Sequence, residues 1–400
     1  MTIAFTVVGT PGDRRVTMFA EAARRRGLPD PAVLPWTAVL SGGEIRLEPG
    51  TLVRVDSPGE DAEADALLRG SGDPARAGGG AAWYASFVRG LDRVHQAAWR
   101  APGAELIGDV GEIAVMFDKR RCHALLSAAG VAVPQALPGP VRSYAELRER
   151  MAEAGWARVF VKPAHGSSAS GVVALHATGT RARATTSAVP AFPRDSPAPG
   201  APAVTDGHTV QAVTDGRTVQ AGPRGAESAL RNSLRVRTYE GERDVAAIVD
   251  ALAPDGLHVE RWFPKASIGG RVIDLRVVVV AGTPTHAVVR ASRTPMTNLH
   301  LGGVRGDLEA VREALGPRGW QRALDVCAQA AACFPGSLAV GVDLLIGVGR
   351  STFAVAEVNA FGDLLPRLTG LPGSGAEGLS TYEAQIEAVL AGRRSAACTT

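Results

Sequence analysis

GVDLLIGVGRSTFAVAEVNAFG, residues 341–362, decides how this chain is read. Two apolar runs flank a Gly-Val-Gly-Arg-Ser turn, the pattern of a β-hairpin. Glu357 and Asn359 are two positions apart on one strand, so their side chains share a face. With the turn centred near residue 350, Asp343 falls almost opposite Glu357. Two carboxylates and an amide oxygen then stand together among Val342, Leu344, Val355 and Val358, where paired anions are costly without a cation. Oxygen donors in this number suit Mg²⁺, or Mn²⁺, that takes its remaining ligands from phosphate. Asp343, Glu357 and Asn359 are therefore the expected metal ligands; the competing reading is a surface hairpin with solvated acids.

Upstream, VFVKPAHGSSASGVVAL (159–175) runs as a buried strand, stops at Lys-Pro, and continues through small residues. Such a loop brings backbone N–H groups and the hydroxyls of Ser167, Ser168 and Ser170 near an anion, with Gly166 and Gly171 keeping side chains out of the way. Alone it is as consistent with a bare turn, and it is neither a Walker nor a Rossmann loop. Lys162 just ahead of it favours phosphate. Lysine occurs only at 119, 162 and 265 and asparagine only at 232, 298 and 359, so a retained lysine or asparagine marks a place where a point charge or an amide is needed. Asp274 and Arg276 lie on one strand, Arg290 on the next, and TNLHLGG (297–303) follows. With a phosphate loop and a metal hairpin, Arg276 and Arg290 supply the cations that phosphoryl transfer needs.

The 400 residues are 46% hydrophobic, with 43 basic and 40 acidic side chains and a formal charge of +3. No basic stripe argues for nucleic acid, no polybasic patch for a membrane, and no run approaches a membrane span. The apolar run Ile3–Val8 is short for a signal sequence and reads as a first strand. Four cysteines without C-x-x-C spacing fit a cytoplasmic protein. Alternating strand and helix patterns predict an α/β class: a parallel α/β domain over 1–112, a second unit over 113–262, a third over 263–385 and a tail over 386–400. Residues 178–224 lose pattern and contain the near repeat TDGHTVQAV and TDGRTVQAG, the mark of a mobile or weakly β insertion rather than a catalytic element. Gly282-Thr283-Pro284 is the expected turn of the hairpin that opens the third unit.

In this order the motifs resemble the ATP-grasp superfamily, in pattern glutathione synthetase and the ligases that add glutamate to protein C-termini, over about residues 113–370. The stretches NSLRVRTY, HVERWFPKA, DLRVVVVAG and RTPMTNLHLGG look like a bacterial ATP-grasp subfamily encoded beside radical-SAM proteins, as in natural-product or peptide modification. The resemblance implies an α+β fold whose two later subdomains grip ATP. It assigns Lys119 and Lys162 to ATP, residues 166–171 to a lid, and the hinge Glu260, Arg261 and Trp262 to backbone recognition of adenine. Arg290 and Asn298 fall near the γ-phosphate, Gly302 and Gly303 on the family's Gly-Gly, and Lys265 stands where a ribose-binding acid is common. It implies a carboxylate-amine ligase working through an acyl phosphate on a small molecule or peptide, with ATP and Mg²⁺ as cofactors. A kinase of hydroxyl groups and a silent scaffold are the alternatives, and related enzymes are often homo-oligomers. Arg54 and Ser57 are the expected contributions of the N-terminal domain to the acceptor site, and His165 and His300 stand within the motifs.

Overall fold

The computed structural model describes residues 3–59, 61–70, 76–166, 170–190, 230–362 and 366–398. Strands β1 (Phe5–Gly9), β2 (Ala32–Pro35), β3 (Leu52–Val55) and β4 (Glu105–Leu106) form a parallel sheet in the order β2-β1-β3-β4. The central strands β1 and β3 are buried along their whole length, as a parallel sheet covered by helices requires. Asp13 caps the helix Arg14–Arg25 by accepting from the Arg15 N–H, and that helix buries Val16, Phe19, Ala22 and Ala23. The expected tail over 386–400 is instead part of the helix Thr381–Cys398, described to residue 398. Tyr382, Ile386, Val389 and Leu390 recur at helical spacing and pack on the cluster around Phe5 and Phe19, which holds this helix against the N-terminal sheet.

Strands β5 (Arg158–Pro163), β6 (Val173–Thr178), β7 (Arg181–Pro190), β8 (Leu230–Glu240) and β9 (Leu257–Arg261) form an antiparallel sheet in the order β8-β7-β6-β5-β9. The helices Tyr144–Glu153 and Glu242–Leu252 cover it, with Leu147, Met151, Ile248 and Val249 packed on Val159, Val161, Val173 and Leu175. Strand β7 gives residues 181–190 a regular place in the sheet, where the sequence loses pattern and reads only as a mobile or weakly β insertion. Its inward residues Ala182, Ala184 and Ala188 are small, and Thr186 alone on that face is β-branched, so the strand signal in the sequence is weak. The rest of the expected insertion, 191–224, including both repeats, lies outside the described residues.

Strands β10 (Ser267–Ile268), β11 (Arg271–Val280), β12 (Thr283–Ser292), β13 (Val304–Arg305), β14 (Ala339–Ile346) and β15 (Phe353–Asn359) form the third sheet, antiparallel in the order β13-β12-β11-β14-β15, with β10 added to β11. The β11–β12 turn is Ala281-Gly282, at φ 47° and 79°, and Thr283 and Pro284 already belong to β12. A two-residue turn of this kind needs positive φ at both positions, which the proline ring forbids. The helix Leu308–Ala332 packs on one face and breaks at Gly316 (φ 65°, ψ 170°), ahead of Pro317. Among the described residues no helix is long and apolar enough to cross a membrane.

Candidate functional site

A cleft of about 760 Å³ is lined by residues from all three sheet units. Its floor is the β14–β15 hairpin, where Asp343 pairs in register with Glu357 and Gly341 with Asn359. The register shifts by one at this point, so that Val355 opposes Leu344 and Ala356 is the extra residue of a bulge. The Ala356 carbonyl accepts from Lys162 Nζ (3.4 Å). Asn359 Nδ2 donates to the Gly341 carbonyl (3.2 Å), which leaves Oδ1 as the end of the amide open to a cation.

All three lysines of the chain line this cleft, each against a carboxylate. Lys119 opens the helix Lys119–Ala128, capped by Asp118; its Nζ donates to the Gly166 carbonyl (2.5 Å) and pairs with Glu357 (3.1 Å). Lys162, near the end of β5, pairs with Glu260 of the adjoining β9 (2.7 Å), whose other oxygen meets His258 Nε2 (2.9 Å). Lys265 pairs with Asp274 (3.2 Å) and donates to Thr297 Oγ1 (3.0 Å). Charges buried this far persist only when paired. Burial pushes the Glu260 carboxyl up, but Lys162 and His258 outweigh it and bring it to about 2. Burial likewise opposes ionisation of Glu357, and Lys119 and Lys162 prevail, holding it below the usual carboxylate range.

Register also builds an ionic chain across the third sheet. Asp274 of β11 stands opposite Arg290 of β12, and Arg276 of β11 opposite Asp343 of β14. Arg290 bridges Asp274 (2.8 Å) and Asp343 (3.1 Å), while Arg276 grips both oxygens of Asp343, Nη2 at 3.0 Å from Oδ2. Thr297 Oγ1 donates to Asp274. Burial raises the Asp274 pKa, yet Arg290 and Lys265 hold it well below the ordinary range. Among the described residues no three His, Cys, Asp or Glu side chains gather into a metal nest. Two carboxylates held by cations and one free amide oxygen, in register at the cleft floor, fit a Mg²⁺ or Mn²⁺ ion that takes its other ligands from phosphate oxygens.

Of the other expected residues, Gly166, Glu260, Arg261, Arg276, Arg290 and Asn298 line the cleft, as do Ser57 and His300. Ser167 and Ser168 lie outside the described residues, and Ser170, Gly171 and Trp262 are not on its wall. Gly171 backs onto Pro163 and Leu252, where a Cβ would approach to 2.9 and 3.0 Å. The hinge differs from expectation. The Arg261 N–H donates to the Gln135 carbonyl (2.7 Å) and the Trp262 N–H to Arg158 (3.1 Å), so neither donor is free to read adenine. The reason is that residues 135–137 run along β9 and occupy its edge, with Leu137 N–H on the Val259 carbonyl (2.9 Å). Asn298 Oδ1 is spent capping the turn Leu299–Leu301 through the His300 N–H (2.8 Å).

Arg54 is not in the cleft: it is buried beneath Phe19 and Tyr382, bonded to both oxygens of Asp56 (2.9 and 3.0 Å) and to Gln385. His165 sits behind the wall, stacked on Tyr84 at 4.0 Å. Sequence reasoning placed Lys265, Asp274 and Thr297 among the motifs but gave them no role in the site, although the scarcity of lysine was a signal for the first. It also missed Arg14, Arg15 and Arg305, which are on the wall and for which arginine abundance hides any signal.

No family model matches the chain, and no curated protein does. Solved structures match over nearly the whole length. D-cycloserine synthetase superposes with a TM-score of 0.52 at 16% identity, covering 97% of this chain and 99% of that one. An ATP-grasp ligase complexed with a minimal precursor gives 0.48 at 15% identity over 97% and 99%. D-alanine–D-alanine ligase from Bacillus anthracis, complexed with ATP, gives 0.48 at 10% over 97% and 96%. At such identities the likeness is one of architecture, and in architecture the chain has the ATP-grasp fold.

Proposed function

We propose that the protein is an ATP-dependent carboxylate-amine ligase that works through an acyl phosphate on a small molecule or peptide. The observation that carries this reading is the convergence of all three lysines, Arg276, Arg290 and the Asp343–Glu357–Asn359 set on one cleft. The fold is shared with a synthetase, D-cycloserine synthetase, which supports ligation over other uses of ATP.

In this reading Lys119 and Lys162 exchange their carboxylate partners in part for phosphate oxygens of ATP, so no new charge has to be buried unpaired. When bound, a divalent cation at Asp343, Glu357 and Asn359 would offset phosphate charge. Arg276 and Arg290, held rigid by Asp274 and Asp343, offer fixed donors to charge developing on the transferred phosphoryl group. The substrate carboxylate oxygen attacks the γ-phosphorus as ADP leaves; an amine then attacks the acyl carbon, releasing phosphate and a proton. Because positioning and charge do the work, no nucleophilic side chain is required, and the buried thiols agree: desolvation pushes Cys122 up to about 12.

The test is incubation with ATP, Mg²⁺ and a panel of carboxylic acids in hydroxylamine. Hydroxamate formation coupled to ADP release is the expected result. ADP release that yields a stable phosphate ester and no hydroxamate would make the protein a kinase instead, and absence of nucleotide binding would overturn both.

A further inference from the structure

The geometry points to a substrate with a second anionic group, a carboxylate or a phosphate ester beyond the carboxylate to be activated, bound by Arg14, Arg15 and Arg305. The inference rests on the ligase reading above and adds the substrate class.

The cleft wall carries nine cationic side chains against five carboxylates. Glu357, Glu260, Asp274 and Asp343 are matched by the three lysines, Arg276 and Arg290. The fifth acid, Asp13, spends Oδ1 on the Arg15 N–H (2.8 Å). Of the four remaining cations, Arg261 Nη1 donates to Gln135 Oε1 (2.8 Å), and Arg14, Arg15 and Arg305 have no carboxylate within ion-pair distance among the described residues.

These cations come from two independent elements. Arg14 and Arg15 open the helix Arg14–Arg25, whose first turn holds no acid and whose dipole disfavours cations at that end. Arg305 of β13 is the register partner of Arg290 on β12, whose own charge is already taken up by Asp274 and Asp343. A bound anion would satisfy both groups.

Two of these guanidiniums also anchor on backbone carbonyls that follow the metal strand in the chain. Arg15 Nη1 donates to the Phe361 carbonyl (3.3 Å) and Arg305 Nη1 to the Pro366 carbonyl (3.3 Å), just past the strand that carries Glu357 and Asn359. Each guanidinium has further N–H donors in the planar fork that suits carboxylate and phosphate. The anionic group therefore binds where Arg14, Arg15 and Arg305 line the cleft.

The experiment is titration calorimetry on the full chain saturated with Mg²⁺ and a non-hydrolysable ATP analogue, which fills the phosphate positions. Glutarate, inorganic phosphate and, as the singly charged control, butyrate are added at constant ionic strength. Glutarate or phosphate is expected to bind at least about tenfold more tightly than butyrate, the tighter of the two identifying the group. Arg14→Ala and Arg305→Ala should each lower that affinity about tenfold, with Arg14→Lys and Arg305→Lys retaining part of it. Nucleotide binding with no preference for either anion, or equal anion affinity in the alanine variants, would overturn this inference alone. Absence of nucleotide binding would overturn the ligase reading and this inference with it.

Discussion

Asp343 and Glu357 face each other across the β14–β15 ladder, yet each is neutralised from a different side: Asp343 by Arg276 and Arg290, Glu357 by Lys119. The hairpin is where two separate ionic systems meet. Saturation with Mg²⁺ and ATP at a hundred times the dissociation constant should add about 2.7 kcal/mol of stability, seen as a rise of a few degrees in Tm. Asp343→Asn and Glu357→Gln should abolish that rise. Asp343→Asn should also destabilise the ligand-free protein by about 3 kcal/mol or more, because it leaves buried arginines without their anion. Scanning calorimetry with and without Mg²⁺ and ATP checks both.

Lys119 Nζ sits between the Gly166 carbonyl and Glu357, a space set by a compact ammonium. A guanidinium fork does not reproduce that geometry. Lys119→Arg should therefore lose roughly 10²-fold or more in hydroxamate formation, close to the loss in Lys119→Met, while circular dichroism stays native. Retention of activity in the arginine variant would mean that charge alone suffices at this position.

Beside Asp274 and Glu357, whose carboxyls are also held below the ordinary range, Glu260 in the Lys162–Glu260–His258 cluster contributes to acid stability. Its folded pKa, about 2, is below the ordinary value, so its stabilisation is complete above the unfolded carboxyl pKa, about 4.3, and is lost as pH falls toward 2. The contribution is on the order of 3 kcal/mol at neutral pH. Urea unfolding of Glu260→Gln should show a lower stability at pH 7 and a shallower loss between about pH 4.5 and 2. An unchanged slope would exclude Glu260 as a titrating group.

Gly302 and Gly303 should respond differently to alanine. A Cβ on Gly303 would come within 2.4 Å of the Thr297 carbonyl and 2.8 Å of the Asn298 carbonyl, so Gly303→Ala must displace the loop that bonds Asp274 and Lys265. Around Gly302 there is open space, and the cost is only that of φ 86°, about 1–2 kcal/mol. Turnover should collapse in Gly303→Ala and largely survive in Gly302→Ala, with Tm measured on both to separate folding from function.

Much of the architecture was legible because it depends on local pattern. The β14–β15 hairpin, the break at Gly316 and the helix cap at Asp13 follow from periodicity and from residues whose backbone preferences act over a few positions. The alanine-rich strand β7 was not legible, since its burial comes from neighbouring strands rather than from large side chains.

By itself the sequence determined the hairpin that sets Asp343 beside Glu357, the presence of three informative lysines, and the element order of an ATP-grasp fold. Only the tertiary structure decided which charges pair: Lys119 with Glu357 across 238 positions, Lys162 with Glu260, and Lys265 with Asp274. It also decided that residues 135–137 close the edge of β9, and that Arg14 and Arg305 reach one cleft. Periodicity and capping act within a few residues, whereas electrostatic pairing and desolvation depend on distance in space, which exists only once the three sheets have packed.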